Sequence, residues 1–105
     1  MASENQIQEL QMLEQTMQNL LFQKQSFQIE LAEIQEALAE LKKSGEEIYK
    51  IIGQLMLKTD KSKTLVELEE KNKLLELRIK TLENQERNIL DKIEKIRENL
   101  LKSSG

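Results

Sequence analysis

Counting from Leu10, apolar residues return at alternating steps of three and four: Leu10, Leu13, Met17, Leu20, Lys24, Phe27, Leu31, Ile34, Leu38 and Leu41, with Lys24 the one polar member. At 3.6 residues per turn these positions fall along one seam, the pattern of a coiled coil. A second seam runs through Leu65, Leu68, Asn72, Leu75, Ile79, Leu82, Glu86, Ile89, Ile93, Ile96 and Leu100, interrupted by Asn72 and Glu86. The chain is therefore expected to form two long helices, over residues 3–45 and 62–102. Ser3 with Gln6, and Thr64 with Glu67, have the spacing of capping boxes at the two starts. Glu67/Lys71, Glu69/Lys73, Glu76/Lys80, Glu83/Arg87 and Asp91/Lys95 set acid before base at i,i+4, the favoured order. Each helix is about 60 Å long at roughly 1.5 Å per residue. Lys42, Lys43, Ser44 and Gly45 suit the end of the first, with cations at the negative dipole end and a glycine free to turn left-handed.

Between the helices, in residues 46–61, the period changes. Ile48 to Ile52 and Leu55 to Thr59 are short apolar runs on either side of Gly53-Gln54, and Gly-X is the pair that a type II′ hairpin takes. In that register Ile48, Lys50, Ile52, Leu55, Leu57 and Thr59 share one face, and Tyr49, Ile51, Met56 and Lys58 the other. Both faces are largely apolar. An isolated two-stranded hairpin is marginal in water, and one coiled coil cannot cover two faces and two edges, so the hairpin is expected to join other copies. Ile48, Tyr49, Ile51, Ile52, Gly53, Leu55, Met56 and Leu57 are the candidate oligomerisation residues. The fold class expected is an all-α dominated α+β chain: a long antiparallel two-helix coiled coil joined by a β-hairpin that assembles into a barrel between subunits.

Folding the chain back at the hairpin sets Leu41 against Leu65, Leu38 against Leu68, Ile34 against Asn72, Phe27 against Ile79 and Leu13 against Ile93. Lys24 then faces Leu82, one layer from Glu86, which faces Leu20. Either the two charges meet and set the register, or each long side chain reaches out to water on its own.

Composition narrows the chemistry. The chain has 105 residues, 38% hydrophobic and 33% charged, with one Tyr, two Phe and no Trp or Pro. Three aromatics leave little for a thick core, and the missing proline removes the strongest helix breaker. Neither Cys nor His occurs, which excludes disulfides, Cys or His zinc sites, thiolate nucleophiles and imidazole catalysis. No Gly-rich phosphate loop and no nucleophile with a base is present, and no acidic cluster has calcium-loop spacing, so no catalytic residue, cofactor or metal is assigned. Tyr49 and Lys50 are not a catalytic pair, because adjacent strand residues point to opposite faces. Residues 1–41 hold seven acids against one base and the remainder twelve against fifteen, charges of -6 and +3 within a total of -3. Nine glutamines between Gln6 and Gln35 fit a polar disordered tract by composition alone, but the periodicity decides for helix. No basic stripe with interleaved aromatics marks a nucleic-acid binder. No apolar run approaches the roughly 20 residues of a membrane span, and no signal sequence opens the chain, so a soluble, cytoplasmic protein without a membrane partner is expected.

Tyr49-Lys50, Gly53 and Leu55 to Lys58, followed by Glu67-Leu68, Glu70-Lys71, Leu75 to Arg78, Lys80 to Leu82 and Gln85-Glu86, resemble the prefoldin beta subunit, particularly its archaeal form. Gln23 to Gln25 in the first helix fit as well. The hairpin and the helix after it carry the specific part of the resemblance, while the Gln- and Leu-rich first helix matches many coiled coils. Gln54, after the turn glycine, departs from the pattern at a variable position. The resemblance implies a hexamer of two alpha-type and four beta-type subunits whose hairpins form a barrel platform. It implies coiled coils that hang from the platform and hold unfolded polypeptides at their distal ends, without ATP, for transfer to a group II chaperonin.

Those distal ends are the chain termini. Ile7, Met12, Leu21 and Phe22 in the first helix, and Leu90 and Leu101 in the second, are apolar residues outside the seam and are candidate client contacts. Met supplies adaptability to such a surface. Scattered surface apolar residues also occur without any role. The terminal seam residues Leu10, Leu13, Met17, Ile93, Ile96 and Leu100 join the candidates if the helix ends fray, with seam contact as their default role. Ile29 and Leu77 also point outward and serve equally as neighbour contacts. The rival reading is a structural coiled-coil assembly subunit that binds no client. A purely structural rod has no need of apolar residues off the seam.

Overall fold

The computed structural model describes residues 2–104. Two helices flank a hairpin, in the order α1 (Ala2–Lys43), β1 (Glu47–Ile52), β2 (Leu55–Asp60) and α2 (Lys61–Ser104). The chain divides into two compact units: a terminal unit that runs up to Ser26 and resumes at Ile79, and a hairpin unit, Phe27–Arg78.

All the seam positions, including Lys24, Asn72 and Glu86, are buried or half-buried. In the hairpin unit Ile34, Leu38 and Leu75 form a core against which Phe27, Leu31, Leu65 and Leu68 pack. Arg78 lies over the Phe27 ring at 5.8 Å, shielding one of the few aromatics with a cation. In the terminal unit Leu20, Ile79, Leu82, Ile93 and Ile96 are the buried residues. Each Leu or Ile so withdrawn from water contributes about 1.5–3 kcal/mol. Within that unit Glu14 meets Arg97 and Lys24 meets Glu86. One partner's number rises as the other's falls, so the helices run antiparallel there.

The strands pair antiparallel from Glu47↔Asp60 to Ile52↔Leu55. Ile48↔Thr59, Lys50↔Leu57 and Ile52↔Leu55 therefore alternate with Tyr49↔Lys58 and Ile51↔Met56, the two faces that the sequence pattern predicts. Gly53 has a φ of 59°, whereas among the described residues no non-glycine has a positive φ. Positive φ at the first turn residue alone is the type II′ geometry.

Three junctions differ from expectation. Gly45 does not turn left-handed. The end of α1 is closed instead by the Ser44 amide, which donates to the Glu40 and Leu41 carbonyls at 3.1 and 3.2 Å. The Ser44 hydroxyl donates to the Leu41 carbonyl at 2.8 Å, and Lys61 Nζ donates to the Ser44 carbonyl at 2.6 Å. A lysine from the start of α2 thus supplies the cation that the dipole end of α1 favours. Ser3 lies inside α1, which begins at Ala2. Thr64 likewise lies inside α2, its hydroxyl 3.4 Å from that of Thr59; the cap is Asp60, whose Oδ1 accepts the Ser62 amide at 2.9 Å. Helix and strand thus meet without a linker, because one residue ends the ladder and caps the helix. Asp60→Ala is expected to lower stability by about 0.5–2 kcal/mol, whereas Thr64→Ala costs less; urea unfolding followed by circular dichroism measures both.

Candidate functional site

In the hairpin unit the feature that stands out is uncovered apolar surface. Tyr49, Ile51, Ile52, Leu55, Met56 and Leu57 all count among the exposed large hydrophobics. They come from both faces, as alternation requires, so neither helix covers them. Ile48 departs from the group. It is buried within its own chain, over a cavity of about 330 Å³ whose walls include Ala37, Leu41, Thr59, Thr64 and Leu68. Ile48 therefore anchors the base of the hairpin to the helices, and the surface open to a partner begins at Tyr49. Gly53 contributes the turn, with open space around it. At the base Lys58 approaches Glu47 at 3.8 Å, a pair in which both side chains remain exposed and which therefore contributes little.

The terminal unit carries the second uncovered set. Ile7, Met12, Leu21, Phe22, Leu90 and Leu101 are all exposed, Phe22 and Leu101 at 72% and Met12 at 71%. Leu21 and Phe22 adjoin Gln18 and Gln25 around a shallow depression on α1. Leu90 shares a groove with Met17, Glu83, Glu86 and Arg87. The seam candidates divide differently: Ile93 and Ile96 are buried, whereas Leu10, Leu13, Met17 and Leu100 are half-buried. Ile93 and Ile96 are core residues in this arrangement and present no surface to a ligand.

Also in the terminal unit, Lys24 Nζ donates to Glu86 Oε2 at 3.0 Å, with side chains 20% and 16% exposed. The pair is made, which decides against separate excursions to water. Among the described residues Glu86 Oε1 is buried without a hydrogen-bond partner.

Sequence reasoning missed three features. Val66 and Leu74 in the hairpin unit are exposed apolar residues outside the seam, detectable by the same off-seam test that picks out Leu77. The Glu14–Arg97 bridge at 3.0 Å follows from the predicted antiparallel register once flanking positions are checked for opposite charge. The burial of Ile48 carries no sequence signal, because strand alternation does not say which end of a face meets the helices.

No helix among the described residues is long and apolar enough to cross a membrane. A family model described as prefoldin subunit matches residues 4–104. The prefoldin subunit beta of Thermococcus onnurineus is 42% identical over 90 residues, 84% of this chain and 78% of that protein. That of Methanothrix thermoacetophila is 38% identical over 104 residues, 97% of this chain and 87% of that protein. The crystal structure of the prefoldin beta subunit from Thermococcus strain KS-1 superposes with a TM-score of 0.89 at 32% identity, covering 97% of this chain and 91% of that one. With seam, hairpin register and turn all in agreement with that structural likeness, the chain belongs to the prefoldin subunit family, a membership that carries a chaperone-associated function and assembly with other prefoldin subunits.

Proposed function

We propose that this chain is a beta-type subunit of an ATP-independent holdase in the cytoplasm. The exposed residues of the hairpin, Tyr49 to Leu57, join it to an alpha-type partner and to other copies in a hexamer of two alpha and four beta subunits, with the hairpins closing a barrel. The off-seam residues of the terminal unit hold unfolded polypeptides, which pass to a group II chaperonin. Leu10, Leu13, Met17 and Leu100, half-buried, add to the grip when the helix ends open. Ile93 and Ile96 do so only if the seam itself separates.

The observation that carries this reading is the set Met12, Phe22 and Leu101, each more than 70% exposed. An apolar side chain left in water adds nothing to a coiled coil, but it provides binding area that needs no particular client sequence. Weak contacts of this kind act by number, which an assembly of several subunits supplies.

The test is dilution of a chemically denatured protein into buffer containing the assembled complex, with light scattering as the readout. Suppression of aggregation without nucleotide, at near-stoichiometric complex, is the expected result. Undiminished aggregation at several-fold excess of complex overturns the client-binding reading and leaves a structural coiled-coil subunit.

A further inference from the structure

Two charges stand inside seams that are apolar but for them and Asn72, and they belong to different helices, Lys24 to α1 and Glu86 to α2, meeting at 3.0 Å. The third polar seam residue, Asn72, donates to Glu76 of its own helix at 3.1 Å, and the apolar remainder of the seams discriminates poorly. Leu, Ile, Met and Phe at 3,4 spacing accept any second helix of the same pattern.

We infer that the Lys24–Glu86 pair selects helix partners: it makes α1 accept α2 and reject a second α1, and makes α2 reject a second α2, when copies of this chain are crowded together. The selection does not depend on register. Any α1·α1 pair brings two lysines and no acid into the seam, and any α2·α2 pair two glutamates and no base. Only α1·α2 supplies one of each, and a charge left unpaired near an apolar layer is strongly destabilising. The outer charges act in the same sense. Residues 1–41 hold seven acids against one base, so two copies of α1 repel, whereas Glu14 of α1 finds Arg97 of α2 at 3.0 Å. The tight turn at Gly53-Gln54 then makes the nearest α2 the one in the same chain.

This goes beyond the holdase reading, because it concerns which helix each helix takes, whether or not clients bind. Glu86 also shows that the pair is not optimised for stability, since its Oε1 is buried without a hydrogen bond among the described residues. An apolar pair at these positions is therefore expected to hold the helices at least as well while losing the discrimination.

The experiment uses the full chain carrying Thr16→Cys, an exposed α1 position in a sequence without other cysteines, labelled with pyrene. Excimer emission then reports α1 beside α1 after thermal unfolding and slow cooling. With Lys24 and Glu86 in place, excimer emission stays low. K24L/E86L is expected to melt at the same or a higher temperature and to show a several-fold rise in excimer, while the charge swap K24E/E86K stays low. A leucine pair with unchanged excimer, or a swap that rises as the leucine pair does, overturns the inference. Should the leucine pair not refold, the single variants decide. K24L leaves an α1·α1 pair with no charge in the seam while α1·α2 keeps an unpaired glutamate, so excimer is expected to rise several-fold, whereas E86L leaves two lysines in any α1·α1 pair and stays low. Unchanged excimer with K24L, or an equal rise with E86L, overturns the inference.

Discussion

Replacing Ile51 and Leu57 together by lysine is expected to break the assembled complex into species several-fold lighter, while helical circular dichroism stays nearly unchanged. The two residues lie on opposite faces of the hairpin, Ile51 opposite Met56 and Leu57 opposite Lys50, and they are 70% and 47% exposed. Neither contributes to the buried set of the chain, so the cost falls on whatever covers them in the assembly. Burying an unpaired ammonium costs several kcal/mol for each ion, and every altered chain brings two. The helices keep their seams, because the anchor of the hairpin is Ile48, which the substitutions leave alone. Sedimentation velocity at micromolar concentration measures the mass. An assembly of unaltered mass rules out the hairpin as the joining surface.

Removing residues through Met12 and from Leu100 onward is expected to leave the assembly intact and to abolish most client protection. The truncation takes Ile7, Met12 and Leu101, which are exposed, and leaves Leu20, Ile79, Leu82, Ile93 and Ile96 as the terminal core. Avidity from several weak sites multiplies single-site affinity by roughly 10²–10⁴, so thinning every site at once lowers protection far more than proportionally. Leu21→Ser with Phe22→Ser is expected to give a milder loss at constant mass. At 46% and 72% exposure these side chains have little to lose in stability, about 0.5 kcal/mol or less for a typical surface change. Scattering assays with mass-matched complexes provide the comparison. A truncated complex of correct mass that protects clients as fully as the intact one places the grip on the hairpin unit instead.

Most of the fold is written in periodicity. The 3,4 spacing identifies the seam residues because a helical side chain has one direction, and solvent exposure follows from that direction alone. The hairpin register follows in the same way from Gly53-Gln54, since a two-residue turn leaves no freedom in which residues oppose. The junctions are less legible. Lys61, Ser62 and Lys63 offer no apolar beat, so the start of α2 is read late, at Thr64, although Asp60 is equally suited to cap it. Gly45 reads as a helix terminator by composition, yet Lys61, distant in sequence, supplies the closing contact, which no local window contains. The candidate surfaces show the same division. Off-seam exposure of Met12 or Phe22 is a matter of helical phase and is visible in the sequence. Which end of a hairpin face is taken up by the chain's own helices depends on tertiary contact, and so Ile48 is set apart from Ile51 only by the fold.

Among the described residues the sheet holds β1 and β2 alone. Its two outer edges each present unpaired backbone donors and acceptors. In the language of step-growth polymerisation such a subunit is a bifunctional monomer: one reactive edge on β1, one on β2, of opposite strand direction. Bifunctional units linked edge to edge yield either closed rings or linear chains, and the outcome turns on whether the rotation at each joint closes. Lowering the concentration favours ring closure over chain growth, because closure is intramolecular.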